Sequence, residues 1–378
     1  MNSEQLRLFI SGAFGSEADA KRVTKLLTPY LARSLQEIRD IVELLPTESL
    51  RRQAVWRELE PQIAIALGPY NDAFFVELER QLPLSGAGAA QETIDMMRSV
   101  GVPMGGVIPP ELVMADSTKY LLNTKINNKS LINLFAPTAD GGVSPFIKSN
   151  LRTVQRLVVG GIIRGDETKV IAAKLIPQLR KGMAGQALAI ARTSIQDFNR
   201  QVKEEVWEQN RDALRGLQYE WVAALDSRTC PTCGVLDGVT HEKKSSFSVN
   251  TPVHVNCRCS IVLVDPEDKG RIRYGQLASE KQFVGDDAYK TKKRVKGEDL
   301  YRKTTVVPVK ADGDSPRYGD FLADANPKTQ QMFFGGGKLG EERAARFNRF
   351  IKRGMKPETA LGKLVSVPDK KGIRKFSD

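Results

Sequence analysis

The first hundred residues carry the periodicity of helices, because apolar side chains recur there at intervals of three and four. One helical face collects Leu26, Leu27, Tyr30, Leu31, Leu35 and Ile38. The run is interrupted by residues that favour turns, namely Pro46, Gly68-Pro69, Pro83 and the segment from Ser85 to Gly88. The pattern therefore predicts an N-terminal helical region over residues 1–100, built from helical hairpins.

Residues 101–143 have a different composition, rich in glycine, proline and asparagine. A long irregular segment is uncommon inside a compact domain. We therefore expect residues 101–143 to form an extended arm or linker that runs along a neighbouring subunit.

Helical spacing returns near Ser144 and is clearest between residues 186 and 209, where it is carried by Leu188, Ala191, Ile195, Phe198, Val202 and Val206. The pattern then changes to the alternation of a strand at Leu217, Tyr219 and Trp221. Ser260 to Val264 reads as a second strand. We expect Trp221 to lie in the core.

Beyond Pro266 the chain becomes polar and basic, and helical signals resume at Ser315. This divides the rest into a basic linker, residues 267–314, and a C-terminal helical extension, residues 315–378. The longest apolar run, Leu157 to Ile163, is far short of the roughly 20 residues that span a bilayer. No membrane span and no secretory signal are expected, and the product is expected in the cytosol.

The net charge of +12 is concentrated in the C-terminal part of the chain. Residues 1–150 carry 15 Lys and Arg against 17 Asp and Glu, whereas residues 151–378 carry 42 against 28. Such asymmetry favours contact with a polyanion, of which nucleic acid is the most abundant. A solvated basic surface is an equally good interpretation.

All four cysteines and both histidines fall within residues 230–259. Their order is C-x2-C followed by H-x2-C-x-C, which is the ligand spacing of a structural zinc site. The turn Cys230-Pro-Thr-Cys233 directs two thiolates to one ion, and Cys257 and Cys259 alternate onto one strand face. The preferred ligands are Cys230, Cys233 and His254, with either Cys257 or Cys259 as the fourth.

The spacing does not choose between Cys257 and Cys259, and His241 is a lesser candidate. So many protein ligands would fill the coordination shell, which favours a structural zinc over a catalytic one with an open position. Two disulfides or four free buried thiols are the alternatives, and disulfides would need an oxidising compartment.

Four motifs in this order resemble the phage Mu F-like head-morphogenesis family, the minor head proteins of tailed bacteriophages. They are Ala191-Arg192-Thr193, the segment from Trp221 to Cys233, Leu236-Asp237-Gly238, and the segment from His254 to Cys259. The resemblance is strongest over residues 150–266. Tyr318 to Leu322, with Gly335 to Gly340 and Arg343, resembles the family's C-terminal motif, although Phe321 replaces a common tryptophan.

The resemblance implies a minor capsid protein of the virion, present in few copies in the capsid interior or portal region and assembled in the host cytoplasm. Its implied partners are the portal protein, the major capsid or scaffolding protein, and packaged DNA, and its implied roles are procapsid assembly and DNA packaging or ejection. No reaction and no small-molecule substrate are implied.

The residues matched to the family motifs carry over as structural. Asp226 and Arg228 shape the approach to the first cysteine pair, and Asp237-Gly238 forms a turn. Arg192 and Thr193 are interpreted as ordinary helix surface, and Arg258 as a contact to phosphate or to a local carboxylate.

Two other functions remain open from the residues alone. The basic charge and the zinc signature are also typical of a nucleic-acid-binding zinc protein, although the spacing of a ββα finger is absent. A metal-dependent nuclease or hydrolase is the other alternative. Both histidines lie in the cluster, and no H-E-x-x-H motif occurs.

Together these patterns predict a mostly α protein with a small α+β zinc-knuckle module. The central region, residues 144–266, consists of helices plus strands closed by zinc at residues 217–264. It stands between the N-terminal helices with their arm and the basic C-terminal extension. The protein is predicted not to be an enzyme.

Overall fold

The computed structural model describes residues 18–44, 53–99, 144–225, 229–266 and 317–365, together with Val102 and four short strands. These parts are mostly helical, as the sequence predicted, and include one three-stranded antiparallel sheet, which has one strand more than the two predicted. None of the described helices combines the length and the apolar character that crossing a bilayer requires.

Residues 18–26 form a first helical segment, and α1, Thr28–Glu43, follows it after Leu27. Leu27, Leu31, Leu35 and Ile38 are buried as predicted. Leu26 and Tyr30, however, are 41% and 46% exposed, so their assignment to the same face was wrong. Each residue precedes a buried one, and successive residues on a helix are turned by about 100°.

Helix α2 runs without interruption over Gln53–Ser99, so the predicted helical hairpins within this range were wrong. Pro61 and Pro69 lie on the exposed side of the helix, and Pro83 is half-buried. Water can therefore hydrate the carbonyls that lose their helical hydrogen bond at the two exposed prolines. The opposite side is held in the core by Leu59, Ile63, Leu67, Tyr70, Phe74, Leu78 and Leu82. Burial of this stripe outweighs the local turn signals.

Helices α3, Pro145–Ile163, and α4, Thr168–Gln209, complete the helical body. Ser144 begins α3, because its Oγ accepts a hydrogen bond from the Ile147 N–H at 3.2 Å. The same hydroxyl donates to Asn71 Oδ1 of α2 at 3.2 Å. Helix α4 packs against α1, α2 and α3, which places the helix that carries the Ala191-Arg192-Thr193 motif at the centre of the core.

The small sheet follows α4 and a short 3-10 helix, Arg211–Leu214. Its strands are β3, Gln218–Val222, β4, Thr240–His241, and β5, Ser260–Val264, and β3 lies in the middle. Helix α5, Pro231–Leu236, and the 3-10 helix Lys244–Ser246 connect them. Both predicted strands are confirmed, and Trp221 is fully buried against Phe247 as expected.

Two further strand pairs lie in the segments expected to be an arm and a linker. They are β1, Lys125–Ile126, with β2, Lys129–Ser130, and β6, Arg273–Ala278, with β7, Thr304–Val309; both pairs are antiparallel. The other residues of the predicted arm 101–143, apart from Val102, and of the basic linker 267–314 lie outside the described residues. The arm and the linker therefore stay predictions.

Four helices form a C-terminal unit, residues 317–365. They are α6, Tyr318–Asp324, α7, Pro327–Phe333, α8, Gly337–Lys352, and α9, Pro357–Gly362. Helix α8 begins at Gly337, because Gly335 and Gly336 take positive φ and turn the chain directly into it. The unit has its own core, centred on Phe321, Leu322, Phe333, Phe334, Phe347 and Leu364.

Replacing Gly319 by alanine is expected to destabilise the C-terminal unit. A Cβ at this position would lie 2.9 Å from the backbone of Pro357 and Glu358, where α6 and α9 meet, and backbone atoms cannot move aside cheaply. Overpacking of this kind costs about 1–3 kcal/mol. Gly362→Ala in α9 is the matched control, since nothing lies within 4 Å of its Cβ. Denaturant unfolding followed by circular dichroism measures both, and equal stability of the two variants would contradict the close approach.

Candidate metal centre

The first cysteine pair occupies the beginning of α5. Cys230 precedes the helix in an extended conformation, and Pro231 takes the first helical position, which suits its fixed φ. The Cys233 N–H donates to Cys230 Sγ at 3.4 Å, so the thiol caps the helix. The turn predicted from Cys230-Pro-Thr-Cys233 is thus the first turn of a helix.

The second group of candidate ligands lies just before β5. A turn at His254 is closed by the hydrogen bond from the Cys257 N–H to the His254 carbonyl, 3.0 Å, and Asn256 within it has a φ of 65°. Cys257 and Cys259 then alternate into the interior, 1% and 3% exposed. Strand β5 pairs with β3, and β3 leads towards α5, so the sheet brings the two groups together.

The structure gathers all five predicted residues into one cluster around Cys233, in which the three other than Cys230 and His254 are buried. Ligand atoms of Cys230, Cys233 and His254 all lie within 4.8 Å of one another, and so do those of Cys233, Cys257 and Cys259. The Sγ atoms of Cys233 and Cys257 are 3.9 Å apart. All four cysteines are free thiols, and the cluster could hold a metal ion.

His241, the lesser candidate, lies elsewhere. It belongs to β4, opposite Tyr219 of β3, and its ring packs edge-on against Phe247 with the centroids 4.6 Å apart. Its side chain therefore belongs to the packing around Trp221, and His254 is the histidine that the fold places beside the thiols.

The two ring nitrogens of His254 have different surroundings. Nδ1 lies 2.8 Å from the Val255 carbonyl, so this nitrogen carries the proton and donates it. Nε2 is buried and has no hydrogen-bonding group among the described residues. Metal-binding histidines are oriented in this way, with one nitrogen held by a carbonyl and the other presented to the ion.

The electrostatics of the cluster favour the thiolate form at Cys230 and Cys257, whose pKa values are lowered, whereas the pKa values of Cys233 and Cys259 are raised. The pKa of Cys230 is lowered to about 5, first by the Cys233 thiol and then, against the opposing effect of burial, by His254. The pKa of Cys257 is also lowered, through its contacts with Cys233 and Cys259, whereas the pKa of Cys233 is raised by the thiols around it. Burial lowers the pKa of His254, but the neighbouring Cys230 and Cys257 raise it to about 9 overall. A divalent cation would neutralise several thiolates at once in this buried space.

Helix α4 holds the second ligand group in place. The Asn256 N–H donates to Thr193 Oγ1 at 2.9 Å, and Arg192 Nη1 donates to Asn256 Oδ1 at 2.5 Å. Gln196 Nε2 donates to the Cys259 carbonyl at 2.7 Å. Arg192 and Thr193 are 7% and 1% exposed, so their interpretation as helix surface was wrong.

Asp237 connects the cluster region to the C-terminal unit. The sequence predicted only a turn at this residue. The turn itself is present, with Gly238 at a φ of 73°. The Asp237 carboxylate is buried; Oδ1 accepts from the Ala223 N–H and Oδ2 from the Tyr318 N–H, both at 2.6 Å. Asp237 therefore ties the end of β3 to the beginning of α6.

The exposed side of α5 is covered by the same unit. A Cβ on Gly234 would lie 2.8 Å from the Tyr318 ring, so only glycine permits this approach. Leu225 belongs to the core of the C-terminal unit, and Val235 packs against that core. Arg258, between the two cysteines, is 9% exposed, which leaves little of it for contact with phosphate. Asp226 and Arg228 lie outside the described residues.

The cysteine cluster, between a long helix and a small sheet, lies in the part of the chain that a comparison with protein families identifies. Residues 152–262 match the family described as Phage Mu protein F like protein. This range contains most of α3, all of α4 and all five cluster residues. No curated protein and no solved structure matches the chain. The resemblance drawn from the motifs is thus confirmed: residues 152–262 form a Mu F-like region, and the family suggests a phage head protein.

Proposed function

We propose that this protein is a minor head protein of a tailed bacteriophage. The observation that carries the proposal is the family match over residues 152–262, which coincides with the helices and the cluster that the structure joins into one body. In this role the protein sits in the virion, in the capsid interior or portal region. It binds the portal protein and the major capsid or scaffolding protein, and supports procapsid assembly and DNA packaging or ejection.

The cluster holds one structural zinc ion in this proposal. Two thiolates that share a tetrahedral zinc at about 2.3 Å are about 3.8 Å apart, which agrees with the 3.9 Å between Cys233 and Cys257. The free Nε2 of His254 supplies the nitrogen ligand. Zinc then links α5 directly to the segment that precedes β5.

Cys230, Cys233, His254 and Cys257 are the proposed ligands, and Cys259 is the spare thiol. The Cys257 Sγ lies 3.9 Å from the Cys233 Sγ, the separation expected of two thiolates on one zinc ion. Cys257 is also close enough to His254 to raise the pKa of the histidine. Cys259 follows two residues later, and its carbonyl is fixed by Gln196 of α4. Four protein ligands close the shell, so the ion stabilises the fold and activates no water.

The surroundings of the cluster favour assembly over reading of a nucleic-acid sequence. Helix α4 covers one side of it and the C-terminal unit covers α5. Helix α5 has six residues and its glycine is pressed against Tyr318, so it cannot enter a DNA groove. An enzyme is disfavoured for a separate reason: four protein ligands would leave no open position on the metal for a substrate.

Deletion of the gene from the phage or prophage that encodes this chain tests the proposal. We expect purified wild-type heads to contain the protein in few copies by quantitative mass spectrometry. We expect the deletion to lower the yield of DNA-filled heads at least tenfold by electron microscopy, with rescue by expression in trans. Heads that lack the protein, together with an unchanged yield after deletion, would contradict the head assignment.

A further inference from the structure

Most arginines on the helical body are neutralised by a carboxylate one turn away. Arg33 pairs with Glu37 at 3.0 Å, Arg39 with Glu43 at 2.7 Å and Arg80 with Glu77 at 2.8 Å. The same holds near the sheet for Arg211 with Glu208 and for Arg215 with Asp212. These pairs leave little local charge to attract a partner.

Exposed cations without such a partner occur among the described residues of α3, at Lys148, Arg152 and Arg156, and in larger number at the end of α8. Arg349, Lys352, Arg353, Lys356 and Lys363 are all exposed, and together they are called here the α8 cationic cluster. No acidic residue occurs between positions 343 and 357. Within the described part of the chain, none of the five forms an ion pair. Lys363 joins the cluster from beyond α9, because its Nζ lies 5.8 Å from the centre of the Phe350 ring.

Glu358 is the acidic residue of α9, and it interacts with a different group of charges from the α8 cationic cluster. The pKa of Glu358 is raised, first by burial and further by Asp320, while Arg317 lowers it. Glu358 therefore lies beside Asp320 and Arg317 at the beginning of α6 and leaves the α8 cationic cluster uncompensated.

Capping of the helix does not account for these cations. Basic residues in a last turn do stabilise a helix through its dipole. The final carbonyls of α8, however, already accept backbone hydrogen bonds, from the Gly354 N–H to Ile351 and from the Met355 N–H to Phe350. Lys356 and Lys363 lie beyond the helix, where the dipole gives no reason for a positive charge.

We propose that the α8 cationic cluster binds the phosphate backbone of double-stranded DNA without regard to sequence. This inference rests on the proposed head function, in which packaged DNA is the polyanion within reach. Four of the five cations lie within residues 349–356, and duplex DNA carries one charge per about 1.7 Å of its axis. Several phosphates can therefore face the cluster at once.

A polar side chain next to the cluster on α8 is already engaged within the protein. Asn348, on the same helix, exchanges two hydrogen bonds with Gln330 of α7, at 2.7 and 3.1 Å, and so is not available to read a base edge. Arginine and lysine are the usual phosphate-binding side chains, and phosphate contacts hold DNA in place without carrying sequence information. Such contact suits a protein that must accept any segment of a packaged genome.

The test uses the full-length protein and a fluorescent 30-base-pair duplex, with binding measured by anisotropy over a range of NaCl concentrations. The variant is Arg349→Gln/Lys352→Gln/Arg353→Gln. The control, Lys148→Gln/Arg152→Gln/Arg156→Gln, removes one lysine and two arginines from the exposed face of α3. Circular dichroism establishes that both variants fold as the wild type does.

We expect the α8 variant to lose at least tenfold in affinity at 100 mM NaCl and the control to stay within twofold. The slope of log K against log salt falls by about 0.9 for each lost phosphate contact, so by about 2.7 for three. Equal losses in both variants would show that net charge and not this cluster binds DNA. An unchanged α8 variant, a wild type that binds no DNA, or tighter binding of polyglutamate than of DNA would also overturn the inference. Incorporation of the α8 variant into heads reports separately on the head function.

Discussion

Cys233→Ser is expected to abolish zinc binding and to unfold the central module. Cys233 is fully buried and belongs to both groups of neighbouring ligand atoms, so no other cysteine can take its place. A structural zinc contributes on the order of 10 kcal/mol to folding of a small module. The thin core around Trp221 and Phe247 does not replace that contribution.

Elemental analysis and tryptophan fluorescence measure this effect, and the chain offers a matched control. Cys259→Ser removes an equally buried thiol, 3% exposed, and is expected to keep one zinc per chain. Cys257→Ser is expected to behave as Cys233→Ser does. Retention of a full equivalent of zinc by Cys233→Ser would refute the site, whereas loss of zinc from Cys259→Ser with retention by Cys257→Ser would reverse the choice of the fourth ligand.

Asp237→Ala is expected to release the C-terminal unit while leaving the zinc in place. The substitution removes two hydrogen bonds from buried backbone N–H groups to a carboxylate, those of Ala223 and Tyr318. Hydrogen bonds to charged groups contribute about 1.5–3 kcal/mol each, so we expect the loss of two to lower the free energy of unfolding by about 3–6 kcal/mol. Amide hydrogen exchange should rise in α6 and at the end of β3.

Asp320→Ala serves as the control for Asp237→Ala. Its carboxylate also accepts a backbone hydrogen bond, from the Arg317 N–H at 3.0 Å, but that bond lies within the C-terminal unit. Loss of such a cap costs about 1 kcal/mol, and exchange in β3 should not change. If Asp237→Ala left exchange at Tyr318 and Ala223 as slow as in the wild type, the two parts would be held together by other contacts.

The features that could be predicted from the sequence are those set by local spacing. The interval between Cys230 and Cys233 is that of one helical turn, and alternation placed both Cys257 and Cys259 towards the interior. Periodicity likewise identified the buried face of α4 and the two strands around Trp221. Each of these signals is contained within a few consecutive residues.

The features that were missed depend on contacts between distant parts of the chain. Arg192 and Thr193 look like helix surface until Asn256, more than sixty residues later, is placed against them. Asp237 reads as a turn residue because its second hydrogen-bond donor, Tyr318, is 81 residues away. The unbroken course of α2 was missed because burial of its opposite side, set by tertiary packing, outweighs its prolines.

These contacts fix the place of the small sheet and the cysteine cluster in the molecule. Helix α4 contacts the cluster region on one side, and the C-terminal unit contacts it on the other. A zinc ion there would stabilise both attachments at once, since α5 touches Tyr318 and the segment before β5 touches Thr193. The cluster is therefore the point at which loss of one ion would disturb the largest part of the fold.

Metal content of the purified wild-type protein, measured together with thiol reactivity, tests the central claim most directly. The account predicts one zinc per chain and four cysteines that react slowly until a chelator removes the ion, after which all four react. A folded protein that contains no metal and whose four thiols react at once would contradict the zinc-closed module.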